Sequence, residues 1–136
     1  MEEKKPRITS FRDLVVYQTA YAACIKVMTE LLPRLPVSEK YDLKDQLSRS
    51  VKAVPRLIAE GYAKRHQKAG FQKYIDDAMA ECNETIVGLD MCRDIYKKYL
   101  LDFPIDELID SYDKTGRQLY KLADAWSRFK NERRSR

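Results

Sequence analysis

Glycine and proline are scarce in this chain, at four and five of 136 residues. Strand-rich folds need frequent turns built from these two residues, so their scarcity argues against a sheet-dominated fold and for an all-α one. Histidine occurs once, at His66. A carboxylate-bridged di-iron bundle needs two Glu-x-x-His pairs, and the residue three before His66 is Ala63, so even one pair is missing. There is no glycine-rich phosphate loop, zinc-type spacing or nucleophile elbow. No enzyme, cofactor or metal site is therefore expected. The cysteines, Cys24, Cys82 and Cys92, are odd in number and each falls within an apolar helical pattern. Reduced, buried thiols fit that placement better than a disulfide framework. No apolar run approaches the roughly 18 residues of a membrane span. The opening MEEKKPRITS lacks the apolar centre of a signal peptide, so the expectation is a cytoplasmic protein.

What the chain does have is charge, unevenly placed. Residues 41–73 carry eight cations, Lys44, Arg49, Lys52, Arg56, Lys64, Arg65, Lys68 and Lys73, against Asp42, Asp45 and Glu60, a net charge of +5. Residues 74–113 carry 3 cations and 11 carboxylates, a net of −8. Residues 114–136 carry 8 and 2, a net of +6. An acidic segment flanked by basic ones creates a directional field, suited to a charged partner or to complementary self-association.

The apolar spacing predicts four amphipathic helices, over about 11–32, 42–66, 71–99 and 104–129, in a single domain spanning 1–136. Ser10 stands at an N-cap with Asp13 as its box partner. Leu14, Tyr17, Tyr21, Cys24, Ile25, Met28 and Leu32 form the expected seam of the first helix, which Pro33 and Pro36 end. Leu43, Leu47, Val51, Val54 and Ile58 form the second, with Pro55 inside it as an expected kink. A basic turn around Ala63 to Gly70 leads to the third, whose seam is Phe71, Ile75, Ala78, Cys82, Thr85, Ile86 and Leu89. Pro104 suits the first turn of the fourth, followed by Ile105, Leu108, Tyr112, Leu119, Leu122, Trp126 and Phe129. Short connections favour an antiparallel up-down-up-down bundle. The cationic tail, 130–136, is expected to fray.

Arg49, Lys52 and Arg56 are three and four apart and share a helix face, a geometry fit for successive phosphate contacts. The competing reading pairs Arg49 with Glu60, Glu81 or Glu84. Lys64, Arg65, His66 and Lys68 cluster at the second connection, and Arg133, Arg134 and Arg136 at the tail. Both clusters suit phosphate binding without base readout. Most of the nine tyrosines sit in helical seams as packing residues. Tyr62, beside the basic turn, is the one candidate for base stacking.

The opening FRDLVVYQTA, and above all YDLKDQLSRSVKAVPRLIAEGYAKR with Arg49, Pro55 and the run Ile58, Ala59, Glu60, Gly61, resemble a known family. It comprises small four-helix-bundle proteins encoded in ribosomal RNA intervening sequences, together with the accessory variability determinants of diversity-generating retroelements. The third helix, aromatic at its start and bearing Glu81 and Glu84, is similar to the same pattern. The resemblance covers about residues 10 to 129. Tyr17 stands where the family often has tryptophan, Leu57 where it usually has asparagine, and Arg56 where it has a small residue. The resemblance implies an antiparallel bundle assembled as a homopentameric ring. It also implies nucleic-acid binding and association with a reverse transcriptase and its template RNA.

Together these readings lead to a non-enzymatic, oligomeric nucleic-acid-binding accessory protein assisting a retroelement reverse transcriptase on RNA. Its contacts would be Lys44, Arg49, Lys52, Arg56, Lys64, Arg65, Lys68, Lys73, Arg133 and Arg134. A ring would repeat each patch by symmetry and so multiply weak contacts. The alternative is a protein–protein scaffold whose opposite charges are used in self-assembly.

Overall fold

A computed structural model describes the backbone of residues 7–134 and the side chains of residues 7–127. The described residues are all helical, with no strand, and four long helices dominate: α1 Val15–Lys26, α2 Leu43–Ala63, α3 Lys68–Ile95 and α4 Ile105–Arg134. Each packs on its sequence neighbour, and α1 also packs on α4, closing the ring around one core. Along the α2–α3 seam, Leu47 faces Gly88, Ser50 bonds Thr85 and Gly61 faces Ile75. Positions thus rise along α2 as they fall along α3.

The first helix is less regular than its sequence predicts. Ser10 and Asp13 do form a capping box, but around a 3-10 turn, Phe11–Asp13. Asp13 accepts the N–H groups of Thr9 and Ser10, which hold its carboxyl below the usual carboxylate range. Leu14 is extended, and only then does α1 begin. Past Lys26 the chain makes a π-helical turn, Val27–Leu31, and a 3-10 turn, Leu32–Arg34, before Leu35 becomes extended.

These breaks in phase move the buried stripe. Val16, Ala20, Ala23, Cys24, Val27 and Leu31 are buried, whereas Tyr21 is 50% exposed and Ile25 44%. Of the expected seam, only Cys24 and Leu32 are fully buried. The physical reason is width. Ala20 and Ala23 let α1 approach its neighbours closely, and the broad tyrosine rings are left at the rim.

The second seam matches its expectation: Leu43, Leu47, Val51, Val54 and Ile58 are all buried. Pro55 is buried too, and α2 continues through it unbroken. The helix stops at Ala63, and the N–H of Lys64 bonds the carbonyls of Glu60 and Gly61. At its other end Glu39, not Asp42, supplies the cap, accepting the Leu43 N–H at 3.1 Å. Glu39 also accepts the hydroxyl of Tyr96, tying the connection before α2 to the end of α3.

In α3, Phe71, Ile75, Ala78, Cys82, Thr85 and Leu89 face inward as expected, joined by Gly88 and Cys92. Gly88 lets Leu47 sit close, since a Cβ on it would meet Leu47 Cδ2 at 2.7 Å and that side chain would have to shift. Ser50 and Thr85, both buried, satisfy each other across the seam at 2.8 Å, as buried hydroxyls must. In α4, Ile105, Leu108, Tyr112 and Leu119 are buried, and Trp126 packs on Phe71 with ring centroids 5.1 Å apart. The helical backbone continues to Arg134, past the expected end near 129. The side chains of Phe129, Arg133 and Arg134, and all of Arg136, lie outside the described residues.

Candidate nucleic-acid interface

The ladder on α2 divides between two depressions. Arg49 and Arg56 face α3 and, with Gln46, Ser50, Ala53, Glu81 and Glu84, line a cavity of about 460 Å³. Lys52 and Arg56 face the first helix and, with Phe11, Tyr17, Tyr21, Cys24, Pro55 and Ala59, line a groove of about 400 Å³. Arg56 therefore stands on the ridge between an acidic hollow and an aromatic one.

Arg49 is ion-paired, but not with the expected Glu60, Glu81 or Glu84. Its partner is Asp45, one turn back on its own helix, at 2.9 Å. The i,i+4 geometry places the two side chains together without any reach across the bundle. Both are well exposed, 73% and 49%, so the pair holds Arg49 only weakly. Among the described residues, Lys44, Lys52, Arg56, Lys64, Arg65 and Lys73 make no ion pair with a carboxylate. Lys44 is half-buried and the other five are exposed. Two of the six carboxylates of α3, Asp90 and Asp94, are engaged by Arg93, which also reaches Asp106 of α4.

Glu81 carries the electrostatic signature of the acidic hollow. Its carboxyl is raised above the ordinary range, first by burial, then by the charge of Glu84 and a hydrogen bond with it, while Arg56 pulls the other way. The folded state thus binds this proton more tightly than the unfolded chain does. Its stabilising share is complete below the unfolded value and is lost as pH rises through the raised one. In Glu81→Gln that loss should vanish. Thermal melts should show the variant above the wild type near pH 7 and level with it near about pH 4.

The second cluster lies at the turn joining α2 to α3. The Arg65 guanidinium sits 4.1 Å from the Tyr62 ring centroid and donates to the Tyr62 carbonyl at 2.8 Å. The guanidinium thus lies over one face of Tyr62, the stacking candidate, whose side chain is half-buried. The Lys64 and Lys73 ammonium groups lie 5.8 and 5.9 Å from the Tyr74 ring. Lys68 falls in the first turn of α3, where the helix dipole already presents positive potential. His66 and Lys68 both have interaction partners within the fold. Lys44 is remote from this cluster, roughly 30 Å along α2 from Lys64 at 1.5 Å per residue.

The open aromatic surface lies on the first helix, where sequence periodicity had assigned packing. Phe11 meets Tyr17 edge-on at 4.9 Å, and Tyr17 stacks on Tyr21 at 5.9 Å with planes 27° apart. A usable signal is present in the sequence: Val16, Ala20 and Ala23 form a second, narrower stripe, each one position before Tyr17, Tyr21 and Cys24.

An all-helical bundle with cationic surfaces on its second helix and second turn defines the class. The chain matches the family model of the 23S rRNA-intervening sequence proteins over residues 12–121, and it belongs to that family. The matched span includes α1, α2, α3 and the ladder and turn cations, but not Arg133 or Arg134. No curated protein and no solved structure matches the chain significantly. Among the described residues, no helix is long and apolar enough to cross a membrane.

Proposed function

We propose that this protein is a non-enzymatic, oligomeric nucleic-acid-binding protein of the cytoplasm, built as an antiparallel up-down-up-down bundle. The observation that carries the reading is the set of cations on α2 and the following turn, Lys44, Lys52, Arg56, Lys64, Arg65 and Lys73, without carboxylate partners among the described residues. A fold that needed those charges for internal pairing would have consumed them. Binding proceeds by charge neutralisation along sugar-phosphate chains, with shape rather than base identity setting preference. Membership in a family named for ribosomal RNA intervening sequences accords with it.

Self-association has its own support. Val87, Met91 and Ile95, spaced four apart on α3, are 51%, 46% and 63% exposed. Such an apolar stripe suits a subunit contact, and the family resemblance makes the expected assembly a pentamer. The same resemblance suggests the partner, a retroelement reverse transcriptase on its template RNA. A tagged copy of this protein should then retain that enzyme on a column.

Filter binding of single-stranded RNA across a salt series tests the reading. Retention at low salt should fall steeply as salt rises, with a log–log slope near −0.7 per phosphate contact. Absence of retention at low salt would overturn it. A second reading, the self-assembled scaffold, is favoured by one observation, the placement of Arg49 and Arg56 against Glu81 and Glu84. For a scaffold, salt should dissolve the oligomer in light scattering, with no RNA bound beforehand.

A further inference from the structure

We infer that the groove between the first helix and the middle of α2 is a nucleobase pocket, taking a base of single-stranded RNA on its aromatic wall and the adjoining phosphate on its rim. The inference rests on the nucleic-acid reading above and deepens it, from charge alone to charge with stacking.

The groove's lining is unlike that of the acidic hollow beside it. Its wall is Phe11, Tyr17 and Tyr21, and its floor includes Cys24 and Pro55. Its cations are Lys52 and Arg56, both exposed, and the Arg12 guanidinium lies 4.7 Å over the ring of Phe11. No carboxylate lines it. Its volume, about 400 Å³, falls among small-ligand pockets. An apolar peptide would meet uncompensated cations here, and another basic surface would be repelled. A nucleotide offers both complements, a π-face for the tyrosines and an anion for the rim.

The wall is held in place before any ligand arrives. The Ser10–Asp13 capping box fixes the 3-10 turn that carries Phe11. Gln18 Nε2 donates to the Arg12 carbonyl at 2.8 Å, closing that turn onto α1. Tyr17 meets Phe11 edge-to-face and stacks on Tyr21, and the Tyr21 ring is half exposed. Pro55 in the floor has a fixed backbone φ. Pre-set geometry lowers the entropy lost on binding.

The test compares strands of equal charge with and without bases. Fluorescence anisotropy would be read on labelled oligo(A) and on an abasic ribose-phosphate strand of the same length, in one buffer. The wild type should bind oligo(A) roughly 10- to 100-fold more tightly than the abasic strand, the worth of a stacked base. Tyr21→Ala should weaken oligo(A) alone, to the abasic level, while Tyr21→Phe keeps the preference. Lys52→Ala should weaken both strands alike. Equal wild-type affinities for the two strands, or equal weakening of both by Tyr21→Ala, would overturn the pocket while leaving phosphate binding intact. Binding of neither strand would remove the nucleic-acid reading and the pocket together. Light scattering on Tyr21→Ala guards one further outcome. A changed oligomer with an unchanged oligo(A) preference would mean that another copy covers the groove, and the pocket is then wrong.

Discussion

Lys52→Glu combined with Arg56→Glu should weaken single-stranded RNA binding on the order of 100-fold, the largest effect expected of any surface change here. Both side chains are exposed, and neither has a carboxylate partner among the described residues. The double change breaks no ion pair, but it takes from Glu81 the opposing charge of Arg56, so stability is read alongside binding. On the proposed function it removes two phosphate contacts per protomer and puts two groups that repel phosphate in their place. The salt dependence provides a second readout, since the log–log slope should flatten by about 1.4 per protomer for two lost contacts to a single strand. Arg49→Glu alone should do less, because it removes one cation rather than two. An oligomer multiplies these losses across its subunits. Filter binding with unchanged circular dichroism is the check. Wild-type affinity in the double variant would place the phosphate path elsewhere.

Leu89→Ala should be the most damaging change to stability, costing about 2–5 kcal/mol. Leu89 is fully buried in α3, the helix that packs on both α2 and α4. Truncation forfeits the transfer energy of the removed carbons and leaves a cavity. Backbone held in the middle of a long packed helix cannot move in to fill the space, so much of the cavity remains. At this chain length the loss corresponds to a fall in melting temperature of roughly 10 °C or more. Leu101→Ala is the matched control. Leu101 lies in the turn before α4 and is 81% exposed, so its truncation should shift stability by less than about 0.5 kcal/mol. Thermal melts of the two variants side by side separate burial from mere apolar content.

The sequence made the number and kind of the long helices legible because the apolar spacing in α2, α3 and α4 has one dominant phase. At the first helix it placed Leu14, Tyr17, Cys24, Met28 and Leu32 on the core side, as found, but misplaced Tyr21 and Ile25, because two stripes compete there. The alternation of Tyr17 and Tyr21 with Ala20 and Ala23 fits a helix equally well either way. Which stripe goes inward depends on how closely the neighbouring helices approach, and that is a property of the assembled bundle. The same ambiguity hid the aromatic groove, since tyrosines assigned to packing are not sought at a surface. The cations were legible as residues, and their exposure followed from helical phase. Their partners were not. Asp45 held Arg49 through local geometry that the sequence did contain, whereas the seating of Arg65 over one face of Tyr62 depended on the shape of the turn.

The three thiols give this bundle a built-in stopwatch. Cys24 lies in α1, and Cys82 and Cys92 in the middle and toward the end of α3, all buried. Burial pushes each thiol up, Cys82 and Cys92 to about 12, with Glu81 and Glu39 adding to the effect. Only a thiolate attacks an alkylating reagent, so near neutral pH the closed molecule should shield Cys82 and Cys92, whereas Cys24 lines the open groove beside Lys52 and should label first. The pace at which Cys82 and Cys92 become labelled, set against Cys24 as the open reference, then times how often those stretches of α3 open, with no probe added to the native chain.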